Sequence, residues 1–248
     1  MQEYNVEKVI KPVAYFKSPF SSKFGIPRQS GVVDEVRGRI VLAHDFRREE
    51  ALRGIEGFSH LWLVWGFSGN DGKWNLTVRP PRLGGNQSVG VFASRSPFRP
   101  NGLGLSSVRL ISIDMNGSDS PSLIVAGADL MDGTPIYDIK PYIRYTDSHP
   151  DADSGFTDTS IWQEAEVIIP NEMRETFLKR RKGGTEDAQD LMALSRILAQ
   201  RPVPQYKHDP KKNYGMPFMG CDIKFHVTEN SVIVTSIDSS TDKTHKKS

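Results

Sequence analysis

Residues 90–114 read GVFASRSPFRPNGLGLSSVRLISID, and this stretch decides the fold. Gly102-Leu-Gly104 supplies half of a dinucleotide-binding fingerprint. The third glycine position holds Ser107, with no strand–helix–strand pattern after it. Residues 108–114 instead form a β-branched and aliphatic run that reads as a strand. A Rossmann sheet is therefore rejected.

Outward from there the pattern repeats. Residues 9–16, 39–43, 61–67, 89–93 and 122–126 are further strand candidates, rich in β-branched and aromatic residues. Between them lie turn signals: Ser18-Pro19, Ile26-Pro27, Pro80-Pro81, Gly84-Gly85 and Pro97. The first 130 residues offer a single short helix candidate, at 47–53. Many short strands with little helix predict a β-barrel or sandwich, and a closed barrel leaves no free strand edge.

Residues 146–160 (TDSHPDADSGFTDTS) are polar and turn-rich and read as a boundary. Beyond them come a strand at 164–169, helices at 172–182 and 186–200, and a hairpin of 222–228 with 231–237. Thr185 is a candidate cap for the second helix, whose apolar face is Ala188, Leu191, Leu194 and Leu198. The expected organisation is a mainly β N-terminal barrel domain over 1–150, a smaller α+β domain over 160–238, and an unstructured tail over 239–248.

Composition excludes several classes. The 248 residues are 37% hydrophobic and 25% charged, ordinary for a soluble domain. No apolar run of about 18 residues exists to span a bilayer. The N-terminal MQEYNVEKVIKPV carries early charge and no apolar secretory core, which predicts a cytoplasmic protein. Cys221 is the only cysteine, which excludes an intrachain disulfide and a cysteine zinc cluster, and no histidine spacing suggests a metal. Cys221 itself reads as a buried structural thiol.

Net charge is only +2, but it is unevenly spread. From 72 to 113 there is no Asp or Glu, while Lys73, Arg79, Arg82, Arg95, Arg99 and Arg109 fall there. Arginine suits bidentate phosphate contact; a solvated loop surface explains the charge equally well.

Three segments are too unusual for plain scaffold. RPPRLGGN at 79–86 pairs a stiff Pro-Pro with Gly-Gly and ends its first half on two arginines. Residues 90–101 end a strand in a loop bearing Arg95, Arg99 and Asn101. DLMDGTPIYDIKPY at 129–142 contains an Asp-Gly turn with Asp129, Asp132 and Asp138 close by. Spacing does not rank these three carboxylates, each of which is equally a candidate backbone cap.

Together these blocks resemble the TrmO (TsaA-like) family of S-adenosylmethionine-dependent tRNA methyltransferases. The likeness extends to residues 10–18, to FGIPRQ at 24–29 with Gly31, and to RGIEGFSHLW at 53–62. It is strong over the first three-fifths of the chain and weaker beyond. It implies a barrel that binds S-adenosylmethionine, a homodimer with the cofactor near the subunit interface, and methylation of N6 of threonylcarbamoyladenosine beside the anticodon of threonine tRNA. By matching position, the cofactor pocket would take in Pro27, Arg28, Gln29, His60, Leu61, Arg95, Leu105, Asp129, Leu130, Asp132, Gly133, Thr134 and Pro135. Asp132, Tyr137 and Lys140 are the catalytic candidates, with Asp138 beside them as a further possible base. Arg79, Arg82, Arg99, Asn101, Arg201 and Tyr206 are the expected RNA contacts on the anticodon arm, with Arg95 adding to the basic surface.

Two departures stand out. The family commonly has Arg-Pro-Asn-Pro-Ile-Gly where this chain has RPNGLG at 99–104. Its C-terminal Asp-Pro-Arg-Pro-Ala-Tyr has its nearest match in QRPVPQY at 200–206, which lacks the aspartate. Three rival readings are a non-catalytic RNA-binding barrel, a methyltransferase with another acceptor, and a hydrolase built on Asp132 and His60.

Overall fold

The structure, a computed structural model, describes residues 7–70, 72–159, 163–184, 186–203, 209 and 212–240. Thr185 and Tyr206, named above as helix cap and RNA contact, and residues 241–248 of the expected tail lie outside the described residues.

The N-terminal part contains β1 (Ala14–Lys17), β2 (Arg37–Leu42), β3 (His60–Gly66), the two-residue pair β4 (Thr77–Val78) and β5 (Val89–Gly90), then β6 (Leu103–Asp114), β7 (Ser122–Ala126) and β8 (Thr134–Pro141). Six of these close into a barrel in the order β1-β2-β7-β6-β3-β8, every neighbouring pair antiparallel. Period-two alternation builds its interior: Ala14 and Phe16 of β1 point in while Tyr15 and Lys17 point out. Leu61 and Leu63 of β3 do the same, and Ile40, Leu123, Val125 and Ile136 complete the core. Each large apolar side chain so buried contributes about 1.5–3 kcal/mol.

Three expectations change. The stretch at 134–141, read as a turn beside acids, is the strand that closes the barrel against β1 and β3. Pro135, Asp138 and Pro141 lower its strand signal, and its pairing is supplied by distant chain. Within 47–53, where a helix is expected, the chain makes only one short 3-10 turn, Glu49–Leu52. The strand at 89–93 lasts two residues and then turns at Val91–Ala93.

After the one-turn helices α1 (Arg144–Asp147) and α2 (Phe156–Thr159) come β9 (Glu166–Ile168), α3 (Asn171–Arg180), α4 (Asp187–Ala199), β10 (Asn213–Phe218), β11 (Cys221–Val227) and β12 (Ser231–Ser239). The sheet order is β10-β11-β12-β9, with β9 parallel to β12, and both long helices pack against it. β10 was not expected, because Gly215 and Pro217 break its strand pattern. β12 runs on to Ser239, which pairs with Cys221, so the first residue of the expected tail belongs to the sheet. On α4 the buried face is Asp190, Ala193, Leu194, Ile197 and Leu198, while Ala188 is exposed. The stripe is rotated because Asp190 turns inward to bind Arg181.

The link between β1 and β2 does not stay with the barrel. Phe20, Val33 and Val36 are buried in the C-terminal core, with Phe24 and Ile26 packed against it. The Phe20 ring sits 5.4 Å from that of Phe218. Residues 18–36 thus leave the barrel, plug the second core and return. Among the described residues no helix is long and apolar enough to cross a membrane.

Candidate functional site

Where the β1–β2 link passes the rim of the barrel it forms one wall of a cavity of about 770 Å³. Ile26, Pro27, Arg28 and Gln29 come from the link, and Val64, Trp65 and Phe67 from β3 and its exit. Leu103, Gly104 and Leu105 come from β6, Ser94, Arg95, Pro97, Phe98 and Arg99 from the 90–101 segment, and Asp129, Met131 and Thr134 from the turn into β8. Thr134 is fixed by its own hydroxyl, which donates to the Met131 carbonyl at 2.7 Å. Gly133 makes that turn at φ +76°, a region that favours glycine, and its amide donates to the Phe16 carbonyl at 2.8 Å.

Asp129 is the only carboxylate among the residues lining this cavity. The Trp65 indole N–H donates to Ser106 Oγ at 2.9 Å, and the Ser106 hydroxyl donates to Asp129 Oδ1 at 2.6 Å. Both Trp65 and Ser106 are buried. Burial pushes the Asp129 carboxyl above the ordinary carboxylate range, against the opposing pull of the Ser106 hydrogen bond and the Arg95 charge. Opposite, Arg95 Nη1 donates to Gln29 Oε1 at 2.5 Å, and Gln29 Nε2 donates to the Arg28 carbonyl at 2.6 Å.

Gly104 makes this arrangement possible. It lies directly across from Trp65 in the β3–β6 pair, and a Cβ there would stand 2.3 Å from the indole ring. Gly104→Ala should therefore displace the Trp65 ring, strand the Ser106 hydroxyl and cost about 1–3 kcal/mol of stability. Thermal unfolding checks this, with the melting temperature expected to fall.

A second and larger cleft, about 1480 Å³, adjoins the cavity and shares Ile26 to Gln29 and several residues of the 94–98 loop with it. Lys23, Arg28, Arg79, Arg82 and Arg95 line it, with Glu164 as the single carboxylate. From the C-terminal part it takes Ile197, Gln200 and Pro202.

The expected site residues divide accordingly. Pro27, Arg28, Gln29, Arg95, Leu105, Asp129 and Thr134 converge on the cavity, and Arg99 joins them. Arg99 is also braced within its own loop, donating to the Ser94 carbonyl at 3.0 Å. Leu61 and Leu130 are fully buried barrel core. His60 sits at the start of β3, its Nδ1 2.9 Å from Ser59 Oγ and its ring beside Tyr142. Pro135 pairs with Tyr15 in the wall. Asp132 is exposed and does not line the cavity. Its Oδ1 accepts from the Ser18 amide at 2.9 Å and its amide donates to the Phe20 carbonyl, so it clamps the turn onto the β1–β2 link.

Tyr137 packs on Gly66, and Lys140 pairs with Asp138 at 3.2 Å on the exposed outer surface; none of the three lines the cavity. Arg79 and Arg82 line the cleft, and Asn101 is exposed outside both spaces. Arg201, expected on the RNA surface, is 8% exposed and donates to the Glu229 carbonyl at 2.7 Å. Its own carbonyl accepts from Arg28 Nη2 at 3.4 Å, so it supports the cavity wall from beneath.

Trp65 and Ser106 were missed. A polar Ser106 in the inward register of Gly104 and Val108 was the available signal. Among the described residues no group of histidine, cysteine and acidic side chains is placed to hold a metal.

Comparison with known proteins bears on the same residues. Residues 15–148 match the tRNA-methyltransferase O N-terminal domain, and residues 163–240 match the TrmO C-terminal domain. The chain is 36% identical over 229 residues to the tRNA (adenine(37)-N6)-methyltransferase of Escherichia coli, covering 91% of this chain and 96% of that one. It is 38% identical over 231 residues to a Pseudomonas aeruginosa protein named as a candidate S-adenosylmethionine-dependent methyltransferase, covering 90% and 94%. The crystal structure of TrmO from that organism superposes with a TM-score of 0.74 at 30% identity, over 96% of this chain and all of the other.

Proposed function

The chain belongs to the tRNA-methyltransferase O family, and on that premise we propose that it methylates N6 of the adenine beside the anticodon of tRNA, with S-adenosylmethionine as donor. The acceptor in this reading is threonylcarbamoyladenosine in threonine tRNA. The observation that carries it is the junction of two spaces: a cavity whose one carboxylate is Asp129 opens into a larger cleft, with Lys23, Arg28 and Arg95 lining both and Arg79 and Arg82 added by the cleft.

The cavity suits the donor. Its volume lies in the range small ligands occupy, and its wall combines apolar side chains such as Ile26, Val64, Trp65 and Phe67 with polar and charged ones. S-adenosylmethionine supplies an electrophilic methyl on a sulfonium and also carries a carboxylate, and the lining offers a partner for each: Lys23, Arg28, Arg95 and Arg99 for the anion, and Asp129 for the cation. Asp129 opposes that charge, and Ser106 and Trp65 hold its oxygen in place. Gln29 and Arg95 brace the facing wall where cavity and cleft meet. The acceptor base enters from the cleft, where Arg79 and Arg82 engage the phosphates around it.

Orientation does much of the remaining work, since near-attack alignment alone supplies about 7–11 kcal/mol in favourable cases. The N6 lone pair of a carbamoylated adenine is delocalised, so removal of its proton assists attack. With Tyr137, Asp138 and Lys140 outside the cavity, Asp129 is the basic group facing the reacting centre, and its raised proton affinity suits that task. Asp132 and Gly133 serve by holding the turn that carries it. We read the chain as a homodimer, supported by Trp74 (49% exposed) and Leu76 (73% exposed), large apolar side chains that line neither space; solution mass by light scattering checks this.

The test is incubation with methyl-labelled S-adenosylmethionine and two tRNA pools, one carrying threonylcarbamoyladenosine and one lacking it, with nucleosides then separated by mass spectrometry. Label confined to threonylcarbamoyladenosine is the expected result. Label on unmodified adenine would remove the carbamoyl requirement, and donor binding without label would move the acceptor elsewhere.

A further inference from the structure

Phe92 is 80% exposed, yet it stands on a well-anchored turn. Val91 beside it is buried, and the Val91 amide donates to the Leu76 carbonyl at 2.9 Å. From below, the Ser94 hydroxyl donates to the Val91 carbonyl at 2.9 Å. The braced 3-10 turn fixes the point from which the ring projects, and Phe92 lines the cationic cleft. Arg79 and Arg82 line the same cleft, and among the described residues neither guanidinium has a hydrogen bond or ion pair within the chain. Gly90, next to the turn, has no atom within 4 Å of where a Cβ would sit, so the approach is open.

We propose that Phe92 is a stacking platform for an unpaired nucleobase of the substrate loop, with Arg79 and Arg82 holding the phosphates on either side of that base. Every base has a π-face, and an exposed aromatic between unengaged cations is the arrangement by which proteins take hold of unpaired nucleotides. The acid-free sequence from 72 to 113 supplies the field for this, and Glu164 is the cleft's only opposing carboxylate. The inference rests on the tRNA reading above and assigns it a base-binding subsite separate from the donor cavity, whose lining does not include Phe92.

The experiment measures binding of a fluorescently labelled anticodon stem-loop by anisotropy, which needs no turnover, with full-length protein and Phe92→Ala, Phe92→Leu, Phe92→Tyr and Phe92→Trp. Expected is a loss of about tenfold in affinity for Ala and Leu, recovery with Tyr and Trp, and an unchanged slope of affinity against salt. Arg79→Ala and Arg82→Ala should instead flatten that slope by about one each. Equal binding by all the Phe92 variants would overturn the proposal. So would restoration by Leu as complete as by Trp, or a fall in solution mass on Phe92→Ala, which would assign the ring to a contact between copies of the chain. Weaker binding in Phe92→Ala with no methyl transfer to any tRNA in the parent protein would keep the stacking site and overturn only the methyl-transfer reading.

Discussion

Asp129→Asn is expected to bind donor less well and turn over far more slowly, and to unfold at a higher temperature than the parent. The first half follows from charge. The asparagine keeps an acceptor for the Ser106 hydroxyl but no longer opposes a cation or takes a proton, and a charged hydrogen-bonding partner is typically worth about 1.5–3 kcal/mol. The expected fall in kcat/KM is about one to two powers of ten. The second half follows from linkage. Burial raises the Asp129 carboxyl in the folded protein above its unfolded value. The folded state therefore holds its proton more tightly, and stability falls as pH rises from the unfolded pKa through the folded one. Above that window the parent carries a partly buried anion that Asn lacks, so the variant's melting temperature should exceed the parent's at neutral pH, with the gap closing under acid. The activity profile of the parent should fall on the acid side at a higher pH than an ordinary carboxylate would give. Melting curves across pH, with matched donor titrations, decide it; equal melting temperatures at neutral pH would mean the carboxylate is not strained by its burial.

Phe20→Ala should cost about 3–5 kcal/mol, the usual range for emptying a buried aromatic site. Phe20 is fully buried against Phe218, so the lost ring opens a void in the C-terminal core. The effect should not stop there. The same link carries Pro27, Arg28 and Gln29 into the donor cavity, and Asp132 is tied to it through the Ser18 amide and the Phe20 carbonyl. Donor affinity should fall together with stability at temperatures where the variant is still folded. Calorimetric titration well below its melting point measures this, and a destabilised variant with unchanged donor affinity would uncouple the two.

The strands with clean alternation were legible in the sequence, and 122–126 was read to its ends. What failed was set by distant chain. β8 has two prolines and an aspartate, and only its pairing with β1 and β3 makes it a strand. The site was legible as segments because Pro-Arg-Gln, Ser-Arg-Ser-Pro and Asp-Leu-Met-Asp-Gly are unusual compositions. Their individual roles were not, because spacing along the chain is silent on depth. Asp129 and Asp132 are three residues apart, one facing a cavity and one clamping a loop. Arg201 looked like a surface cation and is a buried strut whose left-handed backbone, φ +47°, no local pattern announced.

The barrel seam has a consequence for how the protein is made. β1 meets its second neighbour through Ala14, Tyr15 and Phe16 against residues 134 to 136, so β1 cannot be sealed until about 120 further residues have emerged. At roughly 5–20 residues per second that is a wait of about 6 to 24 seconds. The β1–β2 link waits longer still, since Phe218 and Ile237 of its destination lie near the other end of the chain. The donor cavity borders both late joints, and is therefore among the last parts of the molecule to exist.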